Sequence, residues 1–394
     1  MRYLSVTIIL LLVACGTAPS PNVILVDGGT VAASESGQNG SHAQLTFERL
    51  RKGELESGRL DQYVALYGRE DLIAGGHLRE YERSDCQPIE SGSAPLQTIV
   101  DRARDAQIVI INESHVRSST RAFIENVAVS LAPLGFDVYA AETFSNFDGG
   151  GSFPFTEDDD EPTDVLTDND GYYLREATFA HLLRRVRGLG YRFAAYEIAY
   201  DPEYERPEDM LDAMHVREEA QAQNIIENIL EDDPNARVLV HVGYNHAFEQ
   251  PITWRDGRSA KWMATRLKEK TGIDPLTIDQ TTCRGASSDN ELVLAEVATK
   301  DPVDLRVIRP PDTFVYGRPT FRLTRGYEAV AIPQDLLPSD GWAIIEARPV
   351  DDPVEAIPHD RVLVEAGEDV RLMLKAGRYS VRAVVPDASV DTDK

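Results

Sequence analysis

Two histidines and three glutamates fall where runs of branched or small apolar residues break off. These are Glu113 and His115 in "IVIINESH", Glu142 in "VYAAE", Glu197 in "RFAAYE" and His246 in "VLVHVGYNH". A carboxylate or imidazole at the end of a buried strand costs free energy unless something there uses it. Neutral imidazole and carboxylate together suit a divalent transition metal (Zn, Mn, Fe or Co), which lowers the pKa of a bound water and polarises a carbonyl. Without a metal, His115 can act as a general base, with a glutamate orienting its ring. No G-x-S-x-G elbow and no Walker loop is present, which removes serine-hydrolase and nucleotide-binding readings.

The elements that must position these residues follow from the apolar spacing. Residues 108–111 predict a buried strand. Ser118, Ser119 or Thr120 can cap the helix that follows, in which Phe123, Val127, Leu131 and Leu134 keep a helical spacing until Gly135 ends it. Residues 137–141 predict a second strand, and a right-handed parallel crossover between the two brings Glu113, His115 and Glu142 to one carboxyl edge. The pattern repeats: helix 174–187, strand 191–196, helix 207–230, strand 237–242, helix 259–270 and strand 276–278. The fold class is therefore α/β, a Rossmann-like parallel sheet with flanking helices over 43–299. Over 300–394, short alternating runs separated by Pro, Gly and Asp predict a small C-terminal antiparallel β module.

The chain of 394 residues carries a formal charge of −26, which disfavours nucleic acid as a partner. At its start, Met1-Arg2 and an apolar run from Leu4 to Val13 lead to Leu12-Val13-Ala14-Cys15. This resembles a bacterial lipoprotein signal with its lipobox, implying cleavage before Cys15, lipidation of that cysteine and anchorage to a lipid bilayer. Gly16 follows rather than Asp, and by the same resemblance this points to the outer membrane, facing the periplasm. Residues 16–42, rich in Gly, Ser, Ala and Pro, read as a flexible tether, and helical spacing over 43–82 predicts short lead-in helices. Cys86 and Cys283 remain, and in an oxidising compartment one disulfide between them is the economical expectation.

"NESH" with an arginine-rich helix after it, "GFDVYAAE", "REEAQAQNIIENIL" and "VLVHVGYNHA" together resemble the erythromycin esterase, ChaN haem-uptake and Tiki superfamily over 94–282. The resemblance implies a site on the carboxyl edge, with Asn112, Glu113 and His115 on the family's Gly-Glu-x-His element. Glu142 falls on its strand-end glutamate, and Gly243 and His246 on its second Gly-x-x-His. Asn112 stands where the family favours Gly, which would narrow the approach. The family's basic residue is Arg121 or Arg117.

The leading expectation is a lipid-anchored hydrolase that activates water to cleave an ester or amide in a small-molecule or peptide substrate. His115 and His246 act as metal ligands or bases, Glu113 and Glu142 as ligands or orienters, and Arg121 meets developing negative charge. The alternative is a haem- or iron-binding lipoprotein without enzymatic activity, in which Tyr139, Tyr172, Tyr173 or Tyr244 supplies an axial oxygen. A degenerate scaffold that binds an envelope partner is a third reading. His241, between Val240 and Val242, reads as a core histidine. Arg217 reads either as holding a site carboxylate or as a surface ion pair. The acidic segment 156–171 reads as a lid.

Overall fold

The computed structural model describes residues 22–35, 39–54, 60–73, 86–88, 94–146, 165–199, 201, 203–254, 256–283, 292–298 and 300–388. Cys15 and its apolar leader lie outside the described residues, as do positions 156–164 of the acidic segment. No helix among the described residues is long and apolar enough to cross a membrane.

In chain order, β1 (Val23–Ala32) is followed by α1 (Asn39–Arg51), α2 (Asp61–Leu66) and α3 (Pro95–Ala103). The alternating part comprises β2 (Ile108–Glu113), α4 (Ser118–Leu131), β3 (Val138–Ala141), α5 (Ala177–Arg187), β4 (Arg192–Ala195), α6 (Met210–Ile225) and β5 (Val238–Gly243). A short hairpin, β6 (Ile252–Thr253) and β7 (Ser259–Ala260), precedes α7 (Met263–Thr271), β8 (Leu276–Asp279), β9 (Val293–Ala295) and β10 (Leu305–Ile308). The remainder is β11 (Phe314–Val315), β12 (Arg318–Pro319), β13 (Glu328–Ala331), β14 (Trp342–Pro349), β15 (Asp360–Glu365), β16 (Arg371–Leu374) and β17 (Gly377–Val385).

The fold is α/β. Seven strands form one sheet in the order β4-β3-β5-β2-β8-β10-β9, parallel except where β9 meets β10. Successive side chains of a strand face opposite ways. Val109 and Ile111 therefore pack with Phe123, Val127, Phe179 and Leu183 of α4 and α5, while Ile108 and Ile110 pack with Ile225 of α6 and Leu267 of α7. β2 and β3, consecutive in the chain, are separated in the sheet by β5, whose Val238, Leu239, Val240 and Val242 are wholly buried. Left-handed Gly135 (φ 86°) follows the helical segment it was expected to end, and left-handed Gly272 (φ 72°) follows α7. The candidate caps of α4 lie inside its first turn, and Arg117 is the residue before it. α5 instead starts after Glu176, whose carboxylate accepts from Thr178 N and Phe179 N.

Two expected boundaries differ. Residues Val23–Ala32, read as tether, form β1 and pair in parallel with β17, so the first and last described strands share the four-stranded sheet β1-β17-β14-β15. Its Asp-Gly-Gly looks like a loop in sequence, but the strand absorbs it as a register shift between Asp27 and Thr30. β10, placed in the C-terminal module by composition, belongs to the main sheet. The second sheet packs Val362 and Val381 against Leu372 on one side, and Ile344 and Leu363 against Phe47 and Leu60 of the lead-in helical region on the other.

Candidate active site

Register brings the carboxyl edge into line. Glu113 pairs with Gly243 across β2 and β5, and Glu142 N donates to His241 O just beyond the last pair of β3 and β5. Gly243 therefore sits between the two glutamates. A Cβ there would lie 2.3 Å from His115 Cε1, 2.6 Å from His115 Nε2 and 3.1 Å from Glu142 Oε2. Only a residue without a side chain lets His115 and Glu142 close over the same strand.

Each histidine is gripped at Nδ1 by a carboxylate. His115 Nδ1 is 3.2 Å from Glu113 Oε1, with its ring stacked on Tyr173 (centroids 4.3 Å apart) and edge-on to Tyr244 (4.8 Å). His246 Nδ1 is 2.9 Å from Glu218 Oε2, and its ring meets Trp262 edge-on at 5.6 Å. Because a carboxylate at Nδ1 accepts the ring N–H, both neutral rings present Nε2 as the acceptor.

Glu142 Oε2 accepts from Gly243 N at 2.6 Å, and Oε1 accepts from Arg217 Nη2 at 2.6 Å and lies 3.6 Å from His246 Nε2. Burial works to raise its pKa, but His246, Arg217 and His115 outweigh burial and hold it at about 2, so Glu142 is a permanent anion. Burial lowers the proton affinity of His246, yet Glu142 and Glu218 reverse that and raise it. Arg217 Nη1 lies 3.2 Å from His246 Nε2, which fits a neutral ring accepting from the guanidinium. Glu142 Oε1, 3.6 Å from Nε2, is beyond hydrogen-bond reach but within ion-pair distance of a protonated ring.

Arg121 is sealed from solvent. It donates through Nε and Nη2 to Glu113 and through Nη1 to Glu176, between the rings of Tyr173 and Phe179. Despite burial, Arg121 and then His241 keep Glu113 well below the usual carboxylate range. Arg121, 1% exposed, thus holds Glu113; Arg117 lies 3.8 Å from Asp312. Arg217 holds both Glu142 and Glu197, and Gln221 Nε2 also donates to Glu197. Asn112 does not narrow the approach. Its side chain donates to Tyr244 O and Asp279 Oδ1, both at 2.8 Å, and so clamps the turn leading to His246. Tyr244 in that turn has φ 39°, a left-handed backbone the clamp helps maintain. His241 is the expected core histidine: Tyr139 Oη is 2.6 Å from Nδ1, and Nε2 lies 3.1 Å from Glu113 Oε2 but off the line of a hydrogen bond.

Sequence reasoning missed Glu218. It is wholly buried and also accepts Met263 N at 2.7 Å. The available signal was Arg217, Glu218 and Gln221 clustered at one- and three-residue spacings on a helix that must pack against a sheet.

Donor geometry tests the expected metal. Both oxygens of Glu113 receive Arg121, both oxygens of Glu142 receive Arg217 or Gly243 N, and among the described residues no group of three or more His, Cys, Asp or Glu could hold an ion. As arranged, these side chains do not fit a resident metal. For haem, Tyr139 is in the core, Tyr173 and Tyr244 pack on His115, and Tyr172 alone of the four tyrosines is exposed. Cys86 and Cys283 form the expected disulfide, with Cα atoms 5.9 Å apart across 197 residues. Of the acidic segment, Asp168 is buried on Arg361 and Asp170 accepts from Thr167 N, so residues 165–171 are built into the body.

No protein-family profile and no curated protein matches the chain. Among solved structures it is similar to the type III effector HopBA1, at 12% identity and TM-score 0.36, over 57% of this chain and 96% of that one. It is also similar to RRSP, a MARTX toxin effector domain from Vibrio vulnificus, at 17% identity and TM-score 0.30, over 68% of this chain and 45% of that one. The C-terminal region of Pasteurella multocida toxin, titled as bearing a thiol-protease like catalytic triad, matches at 12% identity and TM-score 0.34, over 84% of this chain and 57% of that one. At such TM-scores these likenesses decide nothing about activity.

Proposed function

We propose that the chain is a hydrolase that cleaves an ester or amide with water activated by two histidine–glutamate pairs, without a resident metal. The observation that carries this reading is the paired geometry, Glu113–His115 and Glu218–His246, with Glu142 beside both rings. His115 Nε2 takes a proton from water as its oxygen bonds to the carbonyl carbon. His246, whose proton affinity is raised, gives its Nε2 proton to the departing oxygen or nitrogen as that bond breaks. Proton exchange with solvent then restores both rings. Glu142 stabilises imidazolium, and Arg217 Nη1, turned to His246 rather than to a carboxylate, is the donor available to an oxyanion.

The test is hydrolysis of a panel of simple esters and anilides by the purified chain with and without EDTA, beside elemental analysis and titration with haemin. Activity that survives chelation and disappears in His115→Ala and His246→Ala supports the reading. Activity that requires a stoichiometric metal replaces it with the metal-centred form, and a haem spectrum without hydrolysis replaces it with the haem-binding one. We also propose that Cys15 carries a lipid that anchors the chain to the outer membrane. Cys15→Ser should release it from membranes, and unchanged partitioning would refute the anchor.

A further inference from the structure

The carboxyl edge opens on two unequal spaces. On one side of Arg217 is a cleft of about 910 Å³ with Arg217, Glu218 and His246 in its wall. On the other is a depression of about 330 Å³ lined by Glu142, Glu197, Tyr173 and again Arg217. The larger space is walled by Trp254, Trp262, Tyr204, Met210, Met214 and Leu211. Three of these are among the large apolar side chains left exposed: Tyr204 at 43%, Met210 at 80% and Trp254 at 40%. Apolar side chains concentrated around one concavity that reaches catalytic groups indicate a binding surface, whereas single exposed ones do not.

We infer that this cleft is the leaving-group subsite and that it selects a bulky aromatic or branched apolar alcohol or amine. The inference rests on the hydrolytic reading for the bond broken and adds which side of that bond is recognised. His246 lines the large cleft and belongs to the pair assigned to protonate the departing group, so that group lies on the His246 side. Water's oxygen bonds to the acyl carbon, the bond from that carbon to the leaving oxygen or nitrogen breaks, and the proton on His246 Nε2 goes to the released alcohol or amine. The acyl part is left the smaller, carboxylate-lined space, which suits a short or polar acyl group.

The discriminating substrates are the 1-naphthylmethyl and ethyl esters of acetic acid, which share an acyl group and have leaving alcohols of similar acidity. The parent should prefer the naphthylmethyl ester in kcat/KM by about tenfold or more, and Trp254→Ala should reduce that ratio severalfold. Trp254→Phe, which keeps a ring, should retain most of the preference. Equal kcat/KM for the two esters in the parent, or a ratio untouched in Trp254→Ala, overturns the assignment. If neither ester is cleaved, the panel of esters and anilides decides the hydrolytic reading, and calorimetry with 1-naphthylmethanol decides the subsite. Binding to the parent that weakens in Trp254→Ala upholds it, and no binding to the parent overturns it.

Discussion

Two regions of this molecule bury carboxylates against arginines and use them differently. At the carboxyl edge, Glu113 and Glu142 are held by Arg121 and Arg217, and each also has a histidine within reach. Beside the second sheet, Glu346 is held by Arg348, Arg361 and Arg382, Asp360 by Arg318 and Arg322, and Asp168 by Arg361. Both sets are held by guanidinium groups, which release no proton near neutral pH, but the second has no histidine in the pairs named, and Arg318, Asp360 and Arg361 are at most 2% exposed. A buried ion pair is therefore no mark of function in this chain. What separates the edge is a pair of imidazoles held by carboxylates, one of which, His246, lines a cleft.

The largest effect that can break this comparison is catalytic. His115→Ala and His246→Ala should each lower kcat/KM by about 10²–10⁴-fold while the variants remain folded. The double variant should be little worse than either alone, because residues acting as one unit are not additive. Loss of fold in either single variant, seen by circular dichroism, would make the edge another structural cluster.

The complementary change is Glu346→Ala. It leaves three guanidinium groups facing one another and should cost about 3–5 kcal/mol in urea unfolding, with turnover per folded molecule retained. Reduction of the Cys86–Cys283 disulfide should cost about 2–5 kcal/mol, again without a change in the pH profile of turnover. A shifted profile on reduction would tie the disulfide to the site.

The smallest signal sharpens the contrast most. Burial, followed by nearby positive charges, lowers His42, His181 and His359 to about 3, whereas His246 is raised. In the first three, the unfolded chain takes up protons that the folded one refuses, so their contribution to stability falls as pH drops from about 6.5 towards 3. For His246 the folded state holds the proton more tightly, so its contribution is present below about 6.5 and fades as pH rises through the folded pKa. Imidazole resonances followed by NMR should show His246 titrating above 6.5 and the other three still neutral at pH 5. A His246 midpoint below 6.5 would remove its assignment as the proton donor.

Much of the carboxyl edge was legible because strand ends are local events. An apolar run that stops at a charged residue needs no tertiary information, and Glu113, His115, Glu142 and His246 were all found that way. Glu218 was not, because a buried carboxylate in the middle of a helix looks the same in sequence as the half-buried Glu219 beside it. Arg121 was found by type, but the sequence does not say that Glu113 and Glu176 enclose it.

The sequence by itself determined the α/β alternation, the residues at the strand ends and the presence of two cysteines able to bridge, because periodicity, glycine stops and chain polarity act over a few residues. Only the tertiary structure decided that β5 enters between β2 and β3, that β1 joins β17 from the opposite end of the chain, and that arginines already occupy the carboxylates a metal would need. Those outcomes depend on which distant surfaces bury together, and the free energy of that burial depends on partners that no local stretch of sequence contains.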